Sequence, residues 1–185
     1  HFTDRRQRQM CIRDRCCGGG IYKNMITKSD FDTLQKWAKT TRFPLRKEGI
    51  TSKYMKYDPS VCYVKFGKNK KIYRDKLLTK KVKNIINDDK IFGVAFITYP
   101  PNLVAKPHKD FNLWGRDFRR IQIPLKIPVG KKCYIEWLED KKRVYWIEGK
   151  IEIFNVEKLH QGANESNENM EFLSVSYTHL RAHET

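Results

Sequence analysis

Long apolar runs and cysteine-rich motifs are both lacking in this 185-residue chain. No stretch approaches the roughly 20 consecutive apolar residues of a membrane-spanning helix, so no membrane association is expected. The five cysteines have neither zinc-site spacing nor the arrangement of a disulfide framework. Histidine is scarce as well, with five residues, so any histidine-based site must be built from a very small set.

Both ends of the chain resemble translated sequencing adapter. Residues 5–15 and 175–185 each back-translate without strain to an adapter used in transposase-based sequencing. We therefore expect residues 1–20 to be an artefactual or disordered leader and residues 174–185 to be an artefactual tail. Between them we expect one domain, residues 21–173, with helical support in residues 21–90 and a jelly-roll core in residues 91–173.

The segment between these ends is strongly basic. Residues 1–15 hold five Arg and two Asp and residues 175–185 are neutral, so the formal net charge of +17 becomes +14 without them. Such a charge could indicate an acidic partner such as nucleic acid. The lysines are scattered, however, and Lys, Asn and Ile share AT-rich codons, so compositional bias explains the charge more simply. The expected location is cytoplasmic, although the native N-terminus is not visible.

The hydrophobic pattern changes near residue 90 from helical to strand-like. Ser29 and Asp32 resemble a capping box before a helix, and Asp75 could cap a second helix that ends near Asn87. Strands are predicted at residues 91–99, 120–127, 133–138, 143–147, 150–154 and 171–173. Helices followed by many short strands indicate an α+β, mainly β chain whose β part is a sandwich or a jelly roll.

The chemistry-bearing residues begin with an H-x-D motif. On extended backbone, residues two apart point to the same face, so His108 and Asp110 can bind one ion. His160 is the only other histidine outside the adapter-like ends. Two histidines and one carboxylate that leave coordination positions open suit non-haem Fe(II) oxygenases. The alternative is that His108 caps a turn and His160 packs in the core or faces solvent.

Further motifs between Pro107 and Leu173 resemble the aspartyl/asparaginyl β-hydroxylase family of 2-oxoglutarate-dependent oxygenases. Residues 120–125, RIQIPL, are similar to the family's R-x-H-x-P-L strand. Residues 146–150, WIEGK, followed by IFN at 153–155, are similar to its W-x-E-G-K…F-D hairpin. His160, Asn164 and Ser166 match its H-x-x-x-N-x-S pattern. The resemblance implies a double-stranded β-helix, which is a cupin-type jelly roll, with iron bound at one mouth.

The resemblance also implies which residues contact the co-substrate. Arg120 is expected to hold one carboxylate of 2-oxoglutarate, and Gln122 stands where the family usually has His. The other end would be held by Tyr99, Thr98 or Lys126. Only one parity of the strand before the H-x-D motif faces inward, so Tyr99 and Thr98 cannot both serve.

Two further expectations concern the region after the last ligand. Asn164 and Ser166 would be second-shell residues that orient His160, or they would form a turn. The family usually has an Arg ten residues after the last His, and here that position is Met170, which cannot form a bidentate charge-assisted pair. This departure affects the co-substrate pocket and leaves the metal ligands intact.

The implied activity is the hydroxylation of an unactivated C–H bond with Fe(II), 2-oxoglutarate and O₂. By family analogy the substrate is an Asp, Asn or Pro side chain in a peptide or an amino acid. One alternative is the same chemistry directed at nucleic acid, which the basic charge favours. The other is a cupin-like binding protein without oxygenase activity, which Met170 favours.

Overall fold

Two antiparallel sheets and two helices form the computed structural model, which describes residues 27–44, 46–47, 60–66, 71–110, 118–154 and 157–178. The helices are α1 (Lys28–Thr40) and α2 (Lys80–Ile86), and a short 3-10 turn, Asp75–Leu77, precedes α2. No helix in this part of the chain is long and apolar enough to cross a membrane.

The larger sheet has seven strands. They are β1 (Arg46–Lys47), β2 (Ser60–Phe66), β3 (Lys71–Ile72), β4 (Ile91–Tyr99), β6 (Phe118–Lys126), β9 (Glu152–Phe154) and β11 (Met170–Thr178). Their order is β1-β2-β4-β11-β6-β9, and β3 pairs with β2. Strands close in sequence are therefore often separated in the sheet, as in a jelly roll, where the chain alternates between two sheets.

The smaller sheet has four strands in the order β5-β10-β7-β8. They are β5 (Leu103–Val104), β7 (Cys133–Trp137), β8 (Lys142–Tyr145) and β10 (His160–Asn164). Side chains of β7 pack with those of β11 in a single buried cluster, which includes Ile135, Trp137, Met170 and Phe172. The two sheets thus enclose a common interior, and the predicted double-stranded β-helix is confirmed.

A second buried cluster lies on the opposite face of the larger sheet, beneath the helices. It joins Leu34 and Trp37 of α1 to Ile121, Ile123 and other strand residues. Because side chains alternate along a strand, one face of β6 supports the helices while the other face lines the barrel interior. The helices therefore fix the sheet from outside and leave its inner face available for a site.

Both helix caps differ from those predicted. Helix α1 begins after Thr27, whose hydroxyl accepts from the Asp30 backbone N–H at 3.1 Å in a capping box two residues before the predicted one. Helix α2 is capped by Thr79, whereas Asp75 starts the 3-10 turn. The chain offers several Ser/Thr/Asp positions near each helix start, and tertiary packing decides among them.

Residues 21–90 are not purely helical support, because β2 is a full member of the larger sheet and pairs with β4 from Ser60 to Lys65. At the other end, β11 continues beyond residue 173 to Thr178, with Val175 and Tyr177 buried. The folded unit therefore extends into the predicted tail. The proposed leader, residues 1–20, lies outside the described residues, and the adapter origin of both ends stays a prediction.

Candidate metal centre

Sheet pairing, rather than a loop, brings the two histidines together. His160 is the first residue of β10, and His108 lies beside it in an isolated antiparallel bridge. The backbone N–H of each donates to the carbonyl of the other at 2.9 Å. Opposed residues on neighbouring strands place their side chains on the same face, so the two imidazole rings lie with centroids 4.6 Å apart.

Asp110 completes the cluster two residues after His108, as the H-x-D spacing predicts. One potential ligand atom from each of His108, Asp110 and His160 lies within 4.8 Å of the others. Asp110 Oδ1 is 3.6 Å from His108 Nε2. Among the described residues this is the one group of three or more His, Cys, Asp or Glu side chains placed to hold a metal ion.

The tautomer of both histidines suits metal binding. Nδ1 of His108 is 2.7 Å from the Lys106 carbonyl oxygen, and Nδ1 of His160 is 2.8 Å from that of Lys158. A carbonyl can only accept, so each Nδ1 carries a proton and Nε2 is the ring nitrogen that is left to bind a ligand. The donor set therefore fits a first-row metal such as Fe(II), which takes two imidazoles and one carboxylate.

Electrostatics keep the buried histidine ready to bind. Burial lowers the pKa of His160 below its usual value, which outweighs the opposing effects of the Lys158 carbonyl and of Asp110. His160 is therefore neutral at physiological pH, and a metal ion does not have to displace a proton from it.

Arg120 contacts the ligand carboxylate directly. Its Nη1 lies 2.6 Å from Asp110 Oδ2, and both side chains are largely shielded from solvent. Arg120 belongs to β6 of the larger sheet, whereas Asp110 follows the segment that pairs with the smaller sheet. The ion pair thus spans the mouth between the sheets and orients Asp110 with Oδ1 toward His108.

Two cavities meet at the cluster. The outer cavity, of about 220 Å³, is lined by β2 and β4 residues such as Val61, Tyr63 and Ile97, and it reaches His108 and Asp110. An inner chamber of about 40 Å³ extends from both histidines into the barrel. Its wall consists of Tyr99, His108, Arg120, Gln122, Ile135, Trp146, His160, Gly162, Met170 and Phe172. The candidate metal ligands therefore lie where the two cavities share wall residues, His108 and Arg120 among them.

The model of the family Aspartyl/Asparaginyl beta-hydroxylase matches residues 30–179, well over half of the chain. This chain belongs to that family. The match includes all but the first two residues of α1, all of α2, all the described strands and every residue of the metal cluster. No curated protein matches the chain by sequence.

Two solved structures to which this hydroxylase is similar are both oxygenases or hydroxylases by their descriptions. An oxidoreductase of the 2OG-Fe(II) oxygenase family from Burkholderia pseudomallei aligns with a TM-score of 0.55 at 8% identity, over 82% of this chain and 79% of that chain. A Pseudomonas putida prolyl-4-hydroxylase aligns with a TM-score of 0.47 at 14% identity, over 73% of this chain and 77% of that one.

Family membership confirms the predicted enzyme class, a hydroxylase. The predicted cofactors, Fe(II) and 2-oxoglutarate with O₂, agree with this family and with the donor set of His108, Asp110 and His160. The nucleic-acid alternative finds no support at the mouth. Of the described residues that line the outer cavity, Arg120 is the one Lys or Arg, and it contacts Asp110.

The predicted co-substrate residues of the hydroxylase separate into two groups. Tyr99, Arg120 and Gln122 line the inner chamber. Thr98 is not part of that wall. Of the two neighbouring residues that the sequence left as alternatives, Tyr99 is therefore the one that faces the chamber. Lys126 is exposed near the end of β6 and lines neither cavity, so the fold does not bring it to the site.

Asn164 and Ser166 act on the backbone rather than on the His160 ring. The Asn164 amide donates to the carbonyls of Tyr99 and Pro100 at 3.0 Å, and its oxygen accepts from the Ser166 hydroxyl at 2.7 Å. These contacts join the end of β4 to the turn between β10 and β11. Of the two roles weighed from the sequence, turn formation is the one that their hydrogen bonds perform.

Several site residues had no signal in the motifs. Tyr63 and Val61 come from the segment that was expected to be helical, and Phe172 and Ile135 were strand residues with no assigned role. Met170 lines the inner chamber, with 1% of its surface exposed. The β-branched and aromatic content of β2 could have identified it as a strand. The sequence of β2 does not show, however, which of its faces would meet the other strands at the site.

Proposed function

We propose that this hydroxylase acts on a side chain of a peptide or a free amino acid, with Fe(II) held by His108, Asp110 and His160. The observation that carries the proposal is the placement of these three ligands within 4.8 Å, where the outer cavity meets the inner chamber. When bound, Fe(II) and 2-oxoglutarate supply the oxidation: one atom of O₂ enters the C–H bond, and the other converts 2-oxoglutarate to succinate and CO₂.

Each side chain has a separate task in this proposal. The Nε2 atoms of His108 and His160 and Oδ1 of Asp110 are the metal donors. Arg120 holds Oδ2 of Asp110, which keeps the carboxylate in one orientation. A guanidinium has five N–H donors in a planar fork, so Arg120 also has the capacity to bind the chelating carboxylate of a 2-oxo acid in the inner chamber.

The outer cavity favours an uncharged substrate side chain. Val61 and Ile97 are apolar, Tyr63 is aromatic, and the cationic Arg120 is assigned to Asp110 and to the co-substrate carboxylate. A carboxylate that enters this cavity would lose water without gaining a dedicated cation from the described residues of its wall, which is unfavourable. Among the side chains that the family suggests, we therefore propose Asn and Pro ahead of Asp.

Anaerobic titration tests the metal and co-substrate part of the proposal. Fe(II) followed by 2-oxoglutarate should produce a visible charge-transfer band, and His108→Ala should abolish it because one donor is lost. Lys109→Ala is the matched control: this exposed neighbour points away from the cluster and pairs with Glu139, so the band should remain. A wild-type protein without any band would contradict the proposal.

A peptide panel tests the substrate part. Otherwise identical peptides with Asn, Pro or Asp at one position would be incubated aerobically with Fe(II) and 2-oxoglutarate. Mass spectrometry would then detect the addition of one oxygen atom, with succinate measured in parallel. We expect more product from Asn or Pro than from Asp. Faster hydroxylation of the Asp peptide would overturn this order while leaving the metal site in place.

A further inference from the structure

We infer that the inner chamber accepts 2-oxo acids with uncharged tails at least as well as 2-oxoglutarate. This inference rests on the proposed function, because it concerns the molecule that occupies the space beside the metal ligands. A 2-oxo acid has a head, the 2-oxo-carboxylate group that chelates metal, and a tail that extends from it. The chamber meets these two ends with different chemistry.

The deep wall of the chamber is apolar. Met170, Phe172, Ile135 and Trp146 all contribute to it, and each is buried. The Trp146 and Phe172 rings stack with centroids 6.4 Å apart, and the Phe172 ring packs edge-on against Tyr99 at 5.3 Å. These contacts belong to the core cluster between the sheets. The tail of a bound 2-oxo acid would therefore enter the hydrophobic interior of the barrel.

The cationic group of the chamber lies at the metal end. Arg120 is the one Lys or Arg among the described residues of the wall, and its Nη1 is 2.6 Å from Asp110 Oδ2. Gln122 lies two residues further along β6 and brings a neutral amide, and Tyr99 brings a phenol. Lys126, at the end of the same strand, is exposed and outside the chamber. The head thus has a charged partner, whereas the tail meets neutral groups.

This arrangement removes the usual advantage of a dicarboxylate. A carboxylate gains affinity in a protein interior only where a cation or several N–H donors replace its hydration. A methyl group at the same position loses no hydration energy and makes apolar contacts with Met170 and Phe172. The unbranched Met170 side chain adjusts its shape readily, so it can accommodate tails of different form.

A matched pair of ligands separates the two possibilities. 2-Oxopentanoate is 2-oxoglutarate with its distal carboxylate replaced by a methyl group. Each would be titrated calorimetrically into Fe(II)-loaded wild-type protein under anaerobic conditions, with the visible band as a second readout. We expect 2-oxopentanoate to bind as tightly as 2-oxoglutarate or more tightly. A preference for 2-oxoglutarate above roughly threefold would overturn the inference and leave the proposed function standing. Failure of both acids to bind would overturn both.

Variants of Met170 test whether the chamber wall sets the preference between the two acids. Met170→Arg adds a cation to the apolar wall of the chamber, so the ratio of affinities should shift toward 2-oxoglutarate by about tenfold or more. Met170→Leu keeps the wall apolar and should leave the ratio unchanged. An unchanged ratio in a folded Met170→Arg protein would count against the inference. If that variant does not fold, the wild-type ratio still decides.

Discussion

Asn164 joins three parts of the barrel, and its replacement by Ala should strongly destabilise the protein. The side chain is fully buried. Its Nδ2 lies 3.0 Å from the carbonyl oxygens of Tyr99 and Pro100 and 2.8 Å from that of Glu168. Its Oδ1 accepts from the Ser166 backbone N–H at 3.2 Å.

The magnitude follows from the groups that would lose their partner in Asn164→Ala. One amide carries two N–H groups, so the equivalent of two partly buried carbonyls is left unsatisfied, together with the buried Ser166 N–H. A buried polar group without a partner costs about 1–3 kcal/mol, so three such groups give roughly 3–9 kcal/mol, and the partial burial of the carbonyls places the expected loss toward the lower end. Because a domain of this size is stable by only about 5–15 kcal/mol, much of the free energy of unfolding would be lost.

Urea unfolding monitored by circular dichroism would measure the effect. Asn167, an exposed residue in the same turn, supplies the matched control, and Asn167→Ala should change the free energy of unfolding by no more than about 0.5 kcal/mol. The reasoning would be refuted by an Asn164→Ala loss below about 1 kcal/mol, or by an equal loss in both variants.

Three further predictions follow from burial and charge. Burial lowers the pKa of His160, so the unfolded chain binds a proton at a higher pH than the folded chain does. The contribution of His160 to the stability of the folded state is therefore complete above about pH 6.5 and is lost as the pH falls through the folded pKa. The Tm of metal-free protein should therefore drop between pH 7.5 and 5.5, less so in His160→Gln; equal slopes would contradict this. Burial raises the pKa of Cys133 to about 11. Peptide mapping should therefore find this thiol almost unlabelled by iodoacetamide at pH 8 in the folded protein and labelled after unfolding. Rapid labelling of the folded protein would contradict this prediction. Leu34→Ala, at a fully buried position, should lower the free energy of unfolding in urea by about 2–5 kcal/mol. Lys39→Ala removes an exposed 2.7 Å ion pair with Glu148 and should lower it by less than about 1 kcal/mol. Similar losses in the two variants would show that burial does not decide the size of the effect.

Much of the barrel could be predicted because its strands alternate. Ile121 and Ile123 of β6 lie in the cluster beneath the helices, whereas Arg120 and Gln122 line the interior, as the pattern requires. The H-x-D spacing likewise placed His108 and Asp110 on one face. These features depend on local geometry, which a sequence encodes directly.

Features that depend on pairing between segments distant in sequence could not be predicted. Strand β10, with the sequence HQGAN, has one apolar side chain, and its strand conformation arises from pairing with β7 and β5. Lys65 is another example, because nothing in the sequence distinguishes it from the other, scattered lysines. It is buried in β2 instead, and its Nζ donates to the Ile86 carbonyl and, at 3.2 Å, to that of Asp88. A charge at a strand position does not reveal whether carbonyls elsewhere will surround it.

The same dependence on pairing explains how the metal ligands are held. The spacing of His108 and His160 is set by reciprocal backbone hydrogen bonds, so it has the rigidity of a sheet. Asp110 lies two residues beyond that bridge, and its position is supported from the opposite sheet by Arg120. Pairing with the smaller sheet therefore places the three ligands, whereas the larger sheet contributes the Arg120 contact that orients Asp110. Metal affinity should consequently be weakened when the packing between the sheets is lost, even when every ligand residue is still present.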